Sequence, residues 1–144
     1  MPRIFILNGP NLNLLGEREP EIYGSTTLDE IRSWCEADAR ELGLEIDFRQ
    51  SNFEGEIIEA IHAARKQAAG IIINPAGYTF TSIAILDALK MFDGPKIELH
   101  LSNVHKREDI YHKSLVSRTA TAVMAGFGAL GYRLALRAMA EMTR

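Results

Sequence analysis

The chain has 144 residues, enough for one compact domain, and its 47% hydrophobic and 24% charged residues are typical of a globular protein. Its 16 lysines and arginines against 19 acidic residues give a net charge of −3, which argues against a nucleic-acid or membrane-surface binder. The single cysteine excludes an intramolecular disulfide, and no apolar run approaches the roughly 20 residues that span a bilayer. With no signal-like pattern at the N-terminus, we expect a cytoplasmic protein with a single domain over residues 1–144.

Short apolar runs alternate along the chain with stretches of helical periodicity. The predicted strands cover residues 3–8, 44–49, 70–74, 97–101 and 119–124. Helices are predicted to start near Thr27 and Ser51, where capping boxes with Glu30 and Glu54 fit, and two more fit residues 82–92 and 127–142. This alternation predicts a parallel sheet with helices on both faces, and five strands suit a flavodoxin-like α/β fold.

The strand ends indicate where a ligand would bind. In open parallel sheets, ligands bind beyond the carboxyl ends of the strands. The first, third and fourth predicted strands end in the polar, Gly/Pro-punctuated segments 8–11, 74–77 and 98–103. The sequence therefore predicts a binding cleft at this edge of the sheet.

The segment 9–24 is long for a connection between a strand and a helix. Connections of this length are usually functional, and this one carries Arg18 and Tyr23. It has neither the Lys-Ser/Thr ending of a phosphate loop nor the glycine spacing of a dinucleotide site. A lid that brings a guanidinium and a phenol to the cleft is one interpretation, and a surface loop anchored by its tyrosine is an equally weighted one.

Glu98 and His100 lie two residues apart on a predicted strand, so their side chains leave the same face. A carboxylate beside an imidazole sets its tautomer and stabilises its cation, which makes a proton donor. Taken alone, such a pair is more often a solvated strand end, and its position at the carboxyl end of a predicted strand is what favours the functional interpretation. His105 and His112 have no metal-ligand spacing with His100, and Cys35 lies on an apolar helical stripe, which indicates a core thiol.

Several motifs follow one another in order along the chain. They are Asn8-Gly9-Pro10-Asn11-Leu12, Arg18-Glu19-Pro20, Tyr23-Gly24, Arg49-Gln50-Ser51, Asn74-Pro75-Ala76 and Glu98-Leu99-His100-Leu101-Ser102-Asn103. In this order and spacing they resemble the type II 3-dehydroquinate dehydratases over essentially the whole chain. The resemblance implies a flavodoxin-like fold, trimers assembled into a dodecamer, and no cofactor. The implied reaction removes water from 3-dehydroquinate to give 3-dehydroshikimate, in the shikimate route to aromatic amino acids or in quinate breakdown.

The resemblance also implies an anti elimination through an enolate, with Tyr23 as the base. A free phenol is mostly protonated near neutral pH, so this role needs a neighbouring cation. Arg18, on the same segment, is the first candidate and Arg107 the second. By resemblance, Asn11 helps to hold a water molecule against the developing enolate oxygen.

The acid implied by the resemblance is His100, which would protonate the leaving hydroxyl and would be positioned by Glu98. The remaining implied substrate contacts are Asn74, the backbone of Leu101 and Ser102, and Asp87, which would reach the site of a neighbouring subunit.

The chain departs from the family pattern at two substrate-contacting positions, Phe80 and Tyr111, where the pattern has histidine and arginine. Phe80 cannot hydrogen-bond and Tyr111 is uncharged, although the adjacent His112 could replace part of the lost polarity. The favoured interpretation is an enzyme that binds dehydroquinate through different contacts. A paralogue acting on a related ring that lacks one hydroxyl is the alternative, and a non-catalytic flavodoxin-like binding module is a third.

Overall fold

The computed structural model describes all 144 residues and contains one five-stranded parallel sheet in the order β2-β1-β3-β4-β5. The strands are β1 (Arg3–Asn8), β2 (Glu45–Gln50), β3 (Gly70–Asn74), β4 (Lys96–His100) and β5 (Ala122–Ala125). The α-helices are α1 (Pro20–Tyr23), α2 (Leu28–Leu42), α3 (Glu54–Gln67), α4 (Tyr78–Thr81), α5 (Ile83–Lys90) and α6 (Leu130–Met142). Short 3₁₀ helices cover Leu12–Leu14, Val104–Lys106, Asp109–Tyr111 and Val116–Arg118. This strand order confirms the flavodoxin-like fold.

Helices cover both faces of the sheet and create two apolar cores. The first lies between the sheet and helices α2 and α6, and the second between the sheet and helices α3 and α5. Successive residues of β1 alternate between them, so that Ile4 and Ile6 enter the first core and Phe5 and Leu7 the second. This two-sided burial explains why the central strands read as continuous apolar runs. None of the helices has both the length and the apolar character needed to cross a membrane.

The two predicted capping boxes have different outcomes. At the start of α2, the Thr27 hydroxyl accepts from the Glu30 amide at 3.2 Å, and the Glu30 carboxylate accepts from the Thr27 amide at 3.3 Å. The box predicted at Ser51 is wrong, although the helix does begin at Glu54. The Glu54 carboxylate instead accepts a 2.5 Å hydrogen bond from the Ser82 hydroxyl, which links α3 to the start of α5.

The last strand and helix begin later than their apolar patterns suggest. Strand β5 starts at Ala122 and helix α6 at Leu130, each three residues beyond the predicted start. Between them, Gly126 and Gly128 have φ angles of 98° and 61°. These left-handed residues form a turn that helical backbone cannot include, and this delays the helix.

The carboxyl ends of β1 and β3 pack backbone against backbone. The Gly9 amide donates to the Asn74 carbonyl at 2.8 Å. A Cβ atom at Gly9 would lie 2.4 Å from the Pro75 carbonyl oxygen, so only glycine fits. The loops that leave these two strands therefore share one edge of the sheet.

Candidate active site

A cavity of about 240 Å³ opens at the carboxyl ends of β1, β3 and β4, where the sequence predicts a cleft. All of the predicted site residues line it except Glu98 and Asp87. Those lining residues are Asn11, Arg18, Tyr23, Asn74, Phe80, His100, Leu101, Ser102, Arg107 and Tyr111. They come from three strand ends and two loop segments, and the fold brings them together.

Two of the residues that line the cavity have strained backbone. Three non-glycine residues of the chain have positive φ, and two of them, Asn11 at 71° and Ala76 at 52°, lie in the cavity. The Ala76 amide donates to the side-chain oxygen of Asn74 at 3.2 Å. The Asn11 amide donates to the side-chain oxygen of Asn52 at 2.9 Å. Strain of this kind, held by surrounding bonds, is concentrated at functional sites.

Tyr23 is the last residue of α1, and its hydroxyl is hydrogen-bonded to the guanidinium of Arg107. Arg107 Nη1 donates to Tyr23 Oη at 2.9 Å, across 84 residues of sequence. Arg18 lies over the tyrosine ring, with its Cζ 5.7 Å from the ring centroid, and pairs with Glu19 at 3.6 Å. The geometry thus reverses the expected order of the two arginines, because Arg107 contacts the hydroxyl and Arg18 contacts only the ring face.

Two neighbours hold Arg107 in place. The guanidinium Cζ lies 4.0 Å from the centroid of the Tyr111 ring, a close cation–π contact. Nε2 of His112 donates to the Arg107 carbonyl at 2.6 Å. The expectation that His112 supplies polarity to the cavity is wrong, since this imidazole faces the Arg107 backbone and does not line the cavity. Phe80 packs edge-on against Tyr111, with 5.5 Å between centroids.

The carboxylate of Glu98 is buried behind His100 and is held by several donors. His100 Nε2 lies 2.5 Å from Glu98 Oε2, and the hydroxyl of Thr79 donates to the same oxygen at 3.2 Å. The Ser117 hydroxyl donates to Oε1, and Ser114 bonds the Thr79 hydroxyl at 2.7 Å. Burial alone would raise the pKa of Glu98, but the hydrogen bonds from His100 and Ser117 and the charge of His100 bring it below its ordinary value. This carboxyl is therefore ionised at neutral pH.

The carboxylate decides which nitrogen of His100 faces the cavity. A carboxylate only accepts hydrogen bonds, so Nε2 carries the proton of that contact and Nδ1 is the nitrogen available to a ligand. The Phe80 ring stacks on the imidazole, with the centroids 6.1 Å apart and the planes at 21°. The hydrogen bond to Glu98 thus holds the His100 imidazole in the plane of its ring, and Phe80 packs against the face of that ring.

The residues that sequence reasoning missed are the partners behind the cavity. They are Thr79, Ser114 and Ser117 around Glu98, and Tyr132, whose hydroxyl accepts from the Asn74 side chain at 3.1 Å. Their contacts span 19 to 58 residues of sequence. Threonines and serines in loops, and a tyrosine on an apolar helix face, carry no local signal that separates them from ordinary residues.

Other candidates lie away from the cavity. Asp87 is exposed on α5 and does not line the cavity of its own chain. Cys35 is fully buried, and burial, with a smaller contribution from Asp38, raises the pKa of its thiol to about 12. It is thus a core thiol, as its position on the apolar stripe predicts.

Comparisons with known proteins agree on one family. The family model described as "Dehydroquinase class II" matches residues 2–140. A 3-dehydroquinate dehydratase of Cereibacter sphaeroides is 58% identical over 139 residues, which cover 96% of this chain and 95% of that protein. A 3-dehydroquinate dehydratase of Phenylobacterium zucineum is 57% identical over 141 residues, covering 98% and 97%.

Solved structures give the same result. A type II dehydroquinase from Propionibacterium acnes superimposes with a TM-score of 0.95 at 43% identity, over 98% of this chain and 97% of that one. A 3-dehydroquinate dehydratase-like protein from Bifidobacterium longum is more distant, with a TM-score of 0.75 at 31% identity over 99% and 98%. The similarity therefore covers the whole sheet and the loops that form the cavity.

Proposed function

The chain belongs to the class II dehydroquinase family and dehydrates 3-dehydroquinate, and we propose that Tyr23 is the base and His100 the acid of this reaction. Tyr23 removes the proton from the carbon next to the ketone, and the electron pair of that bond forms an enolate. When the enolate collapses, the bond to the hydroxyl at the beta carbon breaks. His100 donates a proton to that hydroxyl, which leaves as water.

The observation that carries this proposal is that one cavity holds two titratable side chains, Tyr23 and His100, each bonded to a charged neighbour of opposite sign. The Tyr23 hydroxyl accepts from Arg107, and the His100 imidazole contacts Glu98. A guanidinium at the phenol oxygen stabilises negative charge on the base, and a carboxylate at the imidazole stabilises positive charge on the acid. Opposite environments around two titratable groups are the arrangement that an acid and a base need.

The other residues of the cavity are proposed to bind and orient the substrate. Asn11 helps to hold a water molecule against the enolate oxygen, which is the point where negative charge develops. The side chain of Asn74 and the backbone of Leu101 and Ser102 hold the ring. These residues line the same cavity as His100, which supports this assignment.

Phe80 and Tyr111 stand where the family pattern has histidine and arginine, so we propose that they contact the substrate ring differently from those two residues. The two rings contact each other and both line the cavity, and Tyr111 also contacts Arg107, so aromatic side chains form this part of the cavity. This feature is the one that favours a paralogue acting on a ring with one hydroxyl fewer. The names of the relatives at 57–58% identity favour dehydroquinate itself. Specificity constants for dehydroquinate and a deoxygenated analogue decide between them, and a preference for the analogue would establish the paralogue.

The assembly and the location of the enzyme stay predictions. We propose trimers assembled into a dodecamer, and the exposure of Asp87 on α5, outside its own cavity, supports a role for it at a neighbour's site. Sedimentation of the wild type and of Asp87→Ala checks this proposal, with activity measured on the same samples. A sedimenting monomer with full activity would exclude it. A single domain and a cytoplasmic location are likewise predicted.

The experiment that tests the catalytic roles combines two readouts. With dehydroquinate, the wild type produces the ultraviolet absorbance of a conjugated enone. His100→Ala loses about 1,000-fold of that rate, because the hydroxyl no longer leaves as water. In deuterated water, the variant still exchanges the proton next to the ketone, because Tyr23 is unchanged. If exchange is lost together with dehydration, His100 is not the leaving-group acid.

A further inference from the structure

A buried hydrogen-bond network lies directly behind the cavity. The Tyr132 hydroxyl, on α6, donates to the side-chain oxygen of Asn8 at 2.7 Å and accepts from the side-chain nitrogen of Asn74 at 3.1 Å. Tyr132 is fully buried, and the two asparagines are 1% and 3% exposed. Burial raises the pKa of Tyr132 above its ordinary value, so this phenol keeps its proton. The network therefore connects the ends of β1 and β3 through one neutral hydroxyl.

The backbone decides the direction of every bond in this network. The Asn8 side-chain nitrogen donates to the Arg49 carbonyl at 2.9 Å, so the Asn8 side-chain oxygen faces Tyr132. The Ala76 amide donates to the Asn74 side-chain oxygen at 3.2 Å, so the Asn74 side-chain nitrogen faces Tyr132. Since a carbonyl only accepts and a backbone amide only donates, neither side chain can be flipped without losing a bond. Tyr132 must then donate to Asn8 and accept from Asn74.

These hydrogen bonds leave one N–H of the Asn74 side chain without a partner in the protein. An amide nitrogen carries two hydrogens, and Tyr132 takes one of them. The second has no partner in the protein, while Asn74 lines the cavity and Asn8 does not. The network thus presents an N–H donor, and not a carbonyl, at the end of β3.

We propose that Tyr132 is a positioning residue that aims this second N–H of Asn74 at an acceptor oxygen of the substrate, a hydroxyl or carboxylate of the ring. The inference rests on the proposed function, in which Asn74 holds the ring. Asn8 and the Arg49 carbonyl set the direction of Tyr132, so the end of β2 influences binding without touching the substrate. Without the network, the Asn74 amide could turn either its oxygen or its nitrogen toward the substrate. With the network, it offers only the N–H donor.

A double-mutant cycle in kcat/KM for dehydroquinate tests the proposal. Asn74→Ala and Tyr132→Phe are each expected to lower kcat/KM about tenfold, mainly through KM. The first variant removes the Asn74 donor to the bound substrate, and the second removes the hydroxyl that orients this same donor. In the double variant the loss stays about tenfold, since Tyr132 acts only through Asn74. An additive loss of about 100-fold would overturn the proposal.

Leu136→Ala is the matched control, because Leu136 is as buried as Tyr132 and lies one turn further along α6. Its loss of packing lowers the unfolding temperature, but its effect on kcat/KM adds to that of Asn74→Ala. Asn8→Ala gives a second route if Tyr132→Phe folds poorly. This variant keeps the Tyr132 side chain and removes only the acceptor of its hydroxyl. The effect of Asn8→Ala on KM should also vanish in the Asn74→Ala background.

A crystal structure of Tyr132→Phe separates this inference from the proposed function. We expect the Asn74 amide to turn from its wild-type plane; an unchanged amide would overturn the positioning role even if dehydroquinate is turned over normally. Absence of enone formation by the wild type would instead remove the proposed function. Full activity of Asn74→Ala would remove the role of Asn74, and with it the inference.

Discussion

The two sides of the cavity are built differently. The strand wall consists of Asn74 and His100, with Glu98 directly behind His100, and the loop wall consists of Arg18, Tyr23, Arg107 and Tyr111. Asn74, His100 and Glu98 are each at least 94% buried, and Glu98 alone receives hydrogen bonds from three side chains. On the loop wall, the Arg18 side chain is 48% exposed and the Tyr23 hydroxyl has a single hydrogen bond.

The proposed acid and the proposed base therefore differ in how firmly the surrounding protein holds them. The proposed acid is held by a sheet whose strands are fixed by ladders of backbone bonds, so its geometry exists before the substrate arrives. The proposed base stands on a four-residue helix, and its hydroxyl is bonded only to Arg107, a residue of another loop. Changes in the strand wall should therefore reduce both stability and activity, whereas changes in the loop wall should reduce activity alone.

The largest effect is expected for Tyr23→Phe, which removes the proposed base from the loop wall. The turnover of dehydroquinate should fall about 1,000-fold, the typical contribution of a positioned base. The unfolding temperature should stay the same, because the hydroxyl has only one protein partner and Tyr23 is only partly buried. Enone absorbance and thermal denaturation measure the two quantities. A residual rate above one tenth of the wild type would place the base elsewhere.

Glu98→Gln tests the strand wall, where activity and stability should fall together. We expect a roughly 100-fold lower turnover, because the amide no longer stabilises the His100 cation. The free energy of unfolding should fall by about 1–3 kcal/mol at neutral pH.

The pH dependence gives this variant a sharper signature. The pKa of Glu98 is lower in the folded chain than its ordinary value of 4.5, so its stabilising effect is complete above that value. The effect is lost as the pH falls through the lower, folded pKa. Denaturant titrations should thus show the difference between wild type and Glu98→Gln shrinking on acidification. A difference that stays constant down to the acid limit would contradict the role of the carboxylate.

The two arginines of the loop wall should differ from each other. Arg107→Ala removes the donor to the Tyr23 hydroxyl and should lower kcat about 30-fold. Arg18→Ala removes only a contact with the ring face, at 5.7 Å, and should lower kcat about threefold. Steady-state kinetics of both variants measure this ratio. Equal losses would mean that Arg18 moves onto the hydroxyl when the substrate binds.

The smallest effect is expected at Tyr111, whose ring supports Arg107. Tyr111→Leu should lower kcat/KM about threefold, because the cation–π contact is lost. Tyr111→Phe keeps the ring and should stay within about twofold of the wild type. A large loss in Tyr111→Phe would show that the Tyr111 hydroxyl itself binds the substrate ring.

Much of the fold was predictable from the sequence because its signals are local. The apolar runs of the central strands and the capping box at Thr27 depend on residues within one turn or one strand, and the structure has them where predicted. The box at Ser51 failed for the opposite reason. Glu54 finds a partner in Ser82, 28 residues away, and nothing in the local pattern shows that competition.

The candidate site divides in the same way. The sequence by itself determined the sheet, the edge at which its strand ends meet, and the common face of Glu98 and His100, because side chains two apart on a strand share a face. The contact between these two side chains comes from the structure. Only the tertiary structure decided which arginine reaches Tyr23 and which groups hold Glu98 and Asn74. Those bonds join segments up to 84 residues apart, and their directions depend on the folded backbone. Periodicity along one strand or helix contains no information about such contacts.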